Sequence, residues 1–310
     1  MPQIEALRGV AAICVVAEHA IVPMAGLRTG IFTAPIQIQE ILHWLIHGLM
    51  NGRSAVLLFF VLSGYVLMLQ WEGQTGTGLQ KYLAFVARRL FRIMPALWLS
   101  IFFAYALATT FQLDLGALSP SALFRNLTLQ DTEINPVTWS VAAEIVCSLL
   151  FPLVIYAHRR ISLVGHSTLF LFLLAILIWS RERPYVGYMV FFHVGLLVHE
   201  WGPRLSNAVR SKRAWFAAAF LMCGFMPQLW VFGTSVTGNR SFELALLGAQ
   251  AGPTFLLVAL VIYGRWPPLD KMLAQPALRF VGQISFSLYL FHYVVAKLFW
   301  TTYLDKVSRF

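Results

Sequence analysis

Ser54-Ala-Val-Leu-Leu-Phe-Phe-Val-Leu-Ser-Gly-Tyr-Val-Leu-Met-Leu-Gln70 is a run of seventeen residues without a charge. A helix needs ~20 predominantly apolar residues to cross a bilayer core, so this run with its flanks reads as a membrane span. Working outward, the same reading applies to Leu7–Met24, Met94–Phe111, Val137–Tyr156, Ser162–Ser180, Tyr185–Val198, Ala214–Phe232, Phe242–Tyr263 and Phe280–Tyr303, which makes nine spans. Ile31–Met50 mixes apolar residues with Gln, Glu and His and reads as an interfacial or re-entrant helix, which would raise the count to ten. The whole chain agrees. It is 59% apolar and 12% charged, with mean hydropathy +0.71, against roughly 25% charged in soluble domains. That excludes a soluble enzyme, a disordered tail and a nucleic-acid binder. The net charge of +10 would suit nucleic acid by itself, but the basic residues sit between apolar runs, as in membrane proteins. The expectation is an all-α polytopic membrane bundle of nine to ten helices, forming a single domain over 1–310.

Charge asymmetry orients the bundle. With the N-terminus in the cytoplasm, fourteen Lys and Arg fall on the inner side and nine on the outer, with the clusters Arg88–Arg92 and Arg210–Arg213 as the strongest markers. The N-terminal run contains Arg8, Glu18 and His19 and no small-residue cleavage site, so it is not expected to be a cleaved signal. Cys14, Cys147 and Cys223 have no paired spacing and read as free thiols. Asp114–Asn135 reads as a polar outer loop.

Ionisable residues within spans are costly and mark function, and four groups stand out. Arg8 and His19 are eleven residues apart, about three turns, on one stripe roughly 16 Å long. The guanidinium suits phosphate and the imidazole suits proton transfer near neutral pH. Arg89 and Arg92 share a face within Lys81, Arg88, Arg89 and Arg92, which suits a phosphate clamp as well as plain topology. In Asn135-Pro-Val-Thr-Trp-Ser-Val-Ala-Ala-Glu144, Ser140 and Glu144 share a face, and Glu144 needs a basic partner from another helix. Ser285, Tyr289 and His292 form a stripe at i, i+4 and i+7. They read equally as cavity lining and as helix-bridging hydrogen bonds, and the small pair Ser63-Gly64 reads equally as room for a ligand and as close helix packing. His43 and His47 have metal-ligand spacing without a third ligand, and His193 and His199 read as packing or boundary residues. No metal site is expected.

Taken together, Ile4-Glu-Ala-Leu-Arg-Gly-Val-Ala-Ala with His19, Phe59-Phe-Val-Leu-Ser-Gly-Tyr, Arg88-Arg-Leu-Phe-Arg-Ile-Met-Pro, Trp139-Ser-Val-Ala-Ala-Glu and Ser285-Phe-Ser-Leu-Tyr-Leu-Phe-His resemble the acyltransferase-3 family of membrane O-acyltransferases. The five motifs stand in the family's order along the whole chain. Without an appended outer domain, the chain is similar to the stand-alone exopolysaccharide, succinoglycan-type acetyltransferases. The resemblance implies ten spans in a bacterial inner membrane. It also implies transfer of an acyl group, usually acetyl, from cytoplasmic acyl-CoA to a sugar hydroxyl on a polysaccharide or lipid-linked acceptor, with His19 and Glu144 central and Arg89 and Arg92 serving the donor.

The expected division of labour follows. His19 is the general base, oriented by Glu144. Arg8, Arg89, Arg92, Ser63 and Gly64 hold acetyl-CoA, and Trp139, Ser140, Tyr289 and His292 line the acceptor side. Membrane lipids surround the bundle, and no nucleic acid is involved. Buried charge alone also suits a transporter or flippase for an anionic lipid or sugar. The internal repeats and paired broken helices common in transporters are not seen in the sequence.

Overall fold

The computed structural model describes residues 1–26, 45, 48–179, 185–237, 246 and 248–304. Among these residues the chain forms α-helices and no β-strand: α1 Pro2–Gly26, α2 Gly52–Glu72, α3 Gly78–Phe111, α4 Pro120–Leu127, α5 Thr138–His158, α6 Leu163–Trp179, α7 Met189–Ala208, α8 Lys212–Thr237, α9 Ala251–Tyr263, α10 Pro267–Leu273 and α11 Pro276–Phe299, which ends in a π-turn, Trp300–Leu304. Four helices among the described residues are long and apolar enough to cross a membrane: α2, α3, α5 and α11 continued to Thr302. Two shorter apolar helices, Gly165–Trp179 and α9, accompany them. The fold class expected from the sequence is therefore found, whereas helix length and apolarity do not establish nine to ten spans. The stretch Ile31–Met50, with His43 and His47, lies outside the described residues except for 45 and 48–50. The expected span Phe242–Tyr263 lies partly outside them too.

Two boundaries differ from the sequence reading in ways that shape the site. The span expected at Met94–Phe111 is the second half of a 34-residue helix, α3. Residues 78–94 are rich in Leu, Ala, Arg, Gln and Lys, all good helix formers, and the helix continues through Pro95. The basic cluster thus rides on the helix itself instead of flanking it. The span expected at Tyr185–Val198 begins later and runs further, as the 20-residue α7 from Met189. The polar stretch Asp114–Asn135 contains α4, whose N-cap Ser119 accepts a hydrogen bond from the Ala122 amide at 3.1 Å.

Glycines set two close helix crossings. A Cβ on Gly9 of α1 would stand 2.6 Å from the Leu278 carbonyl of α11, and one on Gly282 would collide with the Glu5 carbonyl. Across α2 and α7, a Cβ on Gly64 would collide with the Phe192 carbonyl and one on Gly195 with that of Val61. Backbones approach this closely only where the side chain is absent. The α2–α7 crossing is flanked by fully buried Val61, Leu62, Phe151, Phe191 and Phe192. On α3, by contrast, Phe91, Trp98, Leu99 and Phe102 are exposed, a continuous apolar face suited to lipid.

Polar contacts mark the two ends of the bundle. At one, Arg279 Nε donates to Glu5 Oε2 at 3.2 Å, and Arg159 lies 3.5 Å from Glu72. At the other, Glu18 accepts from the Gly52 amide that opens α2, and Asn135 Nδ2 donates to the Leu290 carbonyl of α11 at 2.9 Å.

Candidate active site

The site grows from the α1–α11 crossing. Because Gly9 and Gly282 bring these helices together, His19 of α1 and His292 of α11 meet, with ring centroids 4.9 Å apart. His19 Nδ1 lies 2.9 Å from the Val15 carbonyl, and His292 Nδ1 lies 2.5 Å from the Tyr289 carbonyl. A carbonyl accepts only, so both Nδ1 atoms carry the proton in the neutral rings. His19 Nδ1 also points at His292 Nε2 from 3.4 Å. This tautomer, assigned from the acceptors, leaves the lone pair of His19 on Nε2.

One turn along α11, the Tyr289 hydroxyl stands 2.7 Å from Ser140 Oγ of α5 and 3.1 Å from the Val137 carbonyl. Ser285, a further turn away, is fully buried, and its hydroxyl has no hydrogen-bond partner. A buried orphan hydroxyl is unusual. It lines a cavity of about 40 Å³ together with Arg8, Ser63, Ser140, Glu144 and Tyr289.

The partner of Glu144 is Arg89. This buried guanidinium, 8% exposed, donates through one terminal nitrogen to Glu144 Oε1 and through Nε to Ser148 Oγ at 3.2 Å. Ser63 Oγ donates to the same carboxylate oxygen at 2.9 Å. Arg8, Arg89, Arg92 and Glu144 line a second small cavity of about 30 Å³. Three guanidiniums therefore face one carboxylate, an excess of two positive charges along the cavity wall. Arg89 and Arg92 are shared with a larger cleft of about 640 Å³, lined also by Arg88, Gln70, Gln74 and Thr75. Cleft, cavities and histidine pair follow one another through the bundle.

The sequence profile of the acyltransferase-3 family, an acyltransferase domain, matches residues 1–307. The chain belongs to the acyltransferase-3 family. No curated protein and no solved structure shows significant similarity to it. As a member of that family with long apolar helices, the protein is an integral membrane acyltransferase.

The residues singled out in this acyltransferase-3 chain divide as follows. Arg8, Ser63, Arg89, Arg92, Ser140, Glu144 and Tyr289 line the connected cavities, and His292 stands beside His19. The expected Glu144–His19 pairing is not made, since the carboxylate bonds Arg89 and Ser63 while His19 bonds the Val15 carbonyl and His292. Gly64, expected at the donor, faces the α7 backbone instead. Trp139, expected at the acceptor, packs its ring on Phe60 and Tyr188, at 6.4 and 5.3 Å between centroids. Three residues to which the sequence gave no donor or acceptor role join the site. Ser285 and Arg88 line cavities, and Asn135, fully buried, ties the start of α5 to α11 next to Tyr289. Asn135-Pro136 signals a helix start, and nothing in its spacing signals a contact 155 residues away.

Proposed function

We propose that this acyltransferase transfers an acyl group, in the first instance acetyl, from acyl-CoA to a hydroxyl of a carbohydrate, either an exopolysaccharide or a lipid-linked sugar. The single observation that carries the reading is the polar line that runs inward from the exposed Arg88 and Arg92, through Arg89–Glu144–Ser63 and Ser140–Tyr289, to His292 and His19. One end is rich in guanidinium and suits the donor's phosphates. The other end carries a base. Between them is a narrow path suited to an extended pantetheine arm. On this reading the protein lies in a bacterial inner membrane, with nine to ten spans and its guanidinium-rich end in the cytoplasm.

The chemistry follows from the tautomer. His19 Nε2 takes the proton of the acceptor hydroxyl, the oxygen attacks the thioester carbonyl carbon, and the C–S bond breaks. CoA leaves as a thiolate, which is then protonated. His292, whose Nε2 faces His19 Nδ1 at 3.4 Å, supports the imidazolium by accepting from that N–H. Arg8, adjacent to Glu144 and Arg92 in the cavity, and the hydroxyls of Ser285 and Tyr289 are the groups available to a developing oxyanion.

The test is thiol release by detergent-purified protein given acetyl-CoA and an oligosaccharide acceptor. A positioned general base contributes about 10²–10⁴-fold, so His19→Ala is expected to lose at least 100-fold in turnover while keeping its unfolding midpoint. Near-normal turnover in that variant removes His19 from the reaction. A wild-type protein that consumes no thioester with any sugar refutes the acyl-CoA donor.

A further inference from the structure

Away from the polar line, three histidines meet between helices that the sequence does not associate. His158 ends α5, His166 lies in the second turn of α6 and His193 in the second turn of α7. They are 7%, 6% and 0% exposed, and one potential ligand atom from each lies within 4.8 Å of the others. The rings crowd together, with centroids 4.3 Å apart for His158–His166 and 5.9 Å for His166–His193. Their nitrogens are nevertheless unsatisfied: Nδ1 of all three, and Nε2 of His193 as well, are buried without a hydrogen-bond partner. Each neutral imidazole carries one lone pair and one N–H. Three such rings brought together without donors for their lone pairs are a costly arrangement that calls for an explanation.

We propose that His158, His166 and His193 form a binding site for a divalent transition metal of zinc type. Imidazole is a preferred ligand for zinc, copper, nickel and iron(II). Around a tetrahedral ion with bonds of about 2.1 Å, ligand atoms stand about 3.4 Å apart, so rotation of the side chains closes a cluster that already fits within 4.8 Å. The arrangement also includes an outer partner. Glu200 Oε2 lies 2.5 Å from His158 Nε2, which fixes the ring and leaves Nδ1 for the ion, the usual carboxylate–histidine–metal relay. Glu200 follows His193 by two turns of α7, so one helix supplies both a ligand and the support for another. The ion would clasp α5, α6 and α7 together and satisfy the orphan nitrogens. It sits apart from the histidine pair proposed for catalysis, so its role is structural. No motif marks the cluster, because the spacings of eight and twenty-seven residues match no ligand pattern.

The test uses full-length, tag-free protein in detergent, stripped with a chelator and reloaded with Zn²⁺ or Co²⁺. One equivalent of metal is expected to bind. Co²⁺ is expected to give the visible d–d absorption of a low-coordinate, imidazole-bound ion, and Zn²⁺ to raise the unfolding midpoint by about 5 °C or more. His166→Ala and His193→Ala are expected to abolish the absorption and the shift together. Should those variants fail to fold, X-ray absorption on the zinc-loaded wild type decides, with three imidazoles expected in the metal's shell. Fewer than three, no binding by the wild type, or equal binding by folded variants overturns the proposal.

Discussion

Glu144 and Arg89 form a pair whose meaning depends on what surrounds it. The carboxylate holds the buried guanidinium of Arg89 and accepts from Ser63. Removing one partner from such a pair leaves an uncompensated charge, at a cost of about 3–5 kcal/mol, while replacing both with apolar groups is often neutral. This separates structure from function. Glu144→Leu and Arg89→Leu are each expected to lower the unfolding midpoint steeply, and the double variant to recover most of it. Turnover in the double variant is expected to stay near zero, because the carboxylate and the guanidinium line the cavity as well as each other. Recovery of turnover together with stability would make the pair a packing device. The sequence showed that Glu144 lacks a basic neighbour and must find one elsewhere. It did not show which, because spacing reports faces within one helix and says nothing about distances between helices. For the same reason the stripe Ser285, Tyr289 and His292 was legible while its contacts, Ser140 and His19, were not.

Helix α3 separates two kinds of arginine by one position. Arg89 turns inward and is consumed by Glu144 and Ser148. Arg88 and Arg92, four apart, are exposed and share the wall of the large cleft. The sequence paired Arg89 with Arg92, and both do line the cleft; the exposed pair available to a phosphate is Arg88 with Arg92. A charge-assisted hydrogen bond contributes about 1.5–3 kcal/mol, or roughly 10–100-fold in affinity. Arg88→Ala and Arg92→Ala are accordingly expected to raise KM for acetyl-CoA by about that factor with kcat nearly unchanged. The effect is expected to vanish for a truncated thioester that lacks the nucleotide. An equal loss with both donors would assign the pair to topology or folding. Gly282 makes a similar point about legibility. Its neighbour sequence reads as an ordinary amphipathic helix, and only the packed α1–α11 pair shows that its missing side chain lets His19 and His292 meet.

At the scale of the molecule, the polar line has a direction, and the ends of the helices define it. Arg279 with Glu5, and Arg159 with Glu72, gather at one end, and Glu18 with the opening of α2, and Asn135 with α11, at the other. The cleft that carries Arg88 and Arg92 continues into residues 73–75, past the last turn of α2, at the first of these ends. The all-helical architecture and this polarity were legible from apolar runs and from the bias of Lys and Arg. The number of spans was not settled, because helices such as α9, with 13 residues, are too short to decide by length and apolarity. Acyl-CoA is cytoplasmic, so the reading requires the cleft to open inward. A membrane-impermeant maleimide tests this, since Cys147 and Cys223 are buried and Cys14 is half-buried, and the unsubstituted protein serves as the blank. Thr75 and Ser121 are both exposed, the first in the cleft and the second in α4 at the opposite end. Thr75→Cys is expected to label in inverted vesicles and to be protected in spheroplasts, with Ser121→Cys showing the reverse. Acetyl-CoA is expected to slow labelling at position 75 alone, because only there does the donor cover the side chain. Labelling of position 75 from outside would turn the cleft away from the cytoplasm and remove acyl-CoA as the donor, whatever the histidines do.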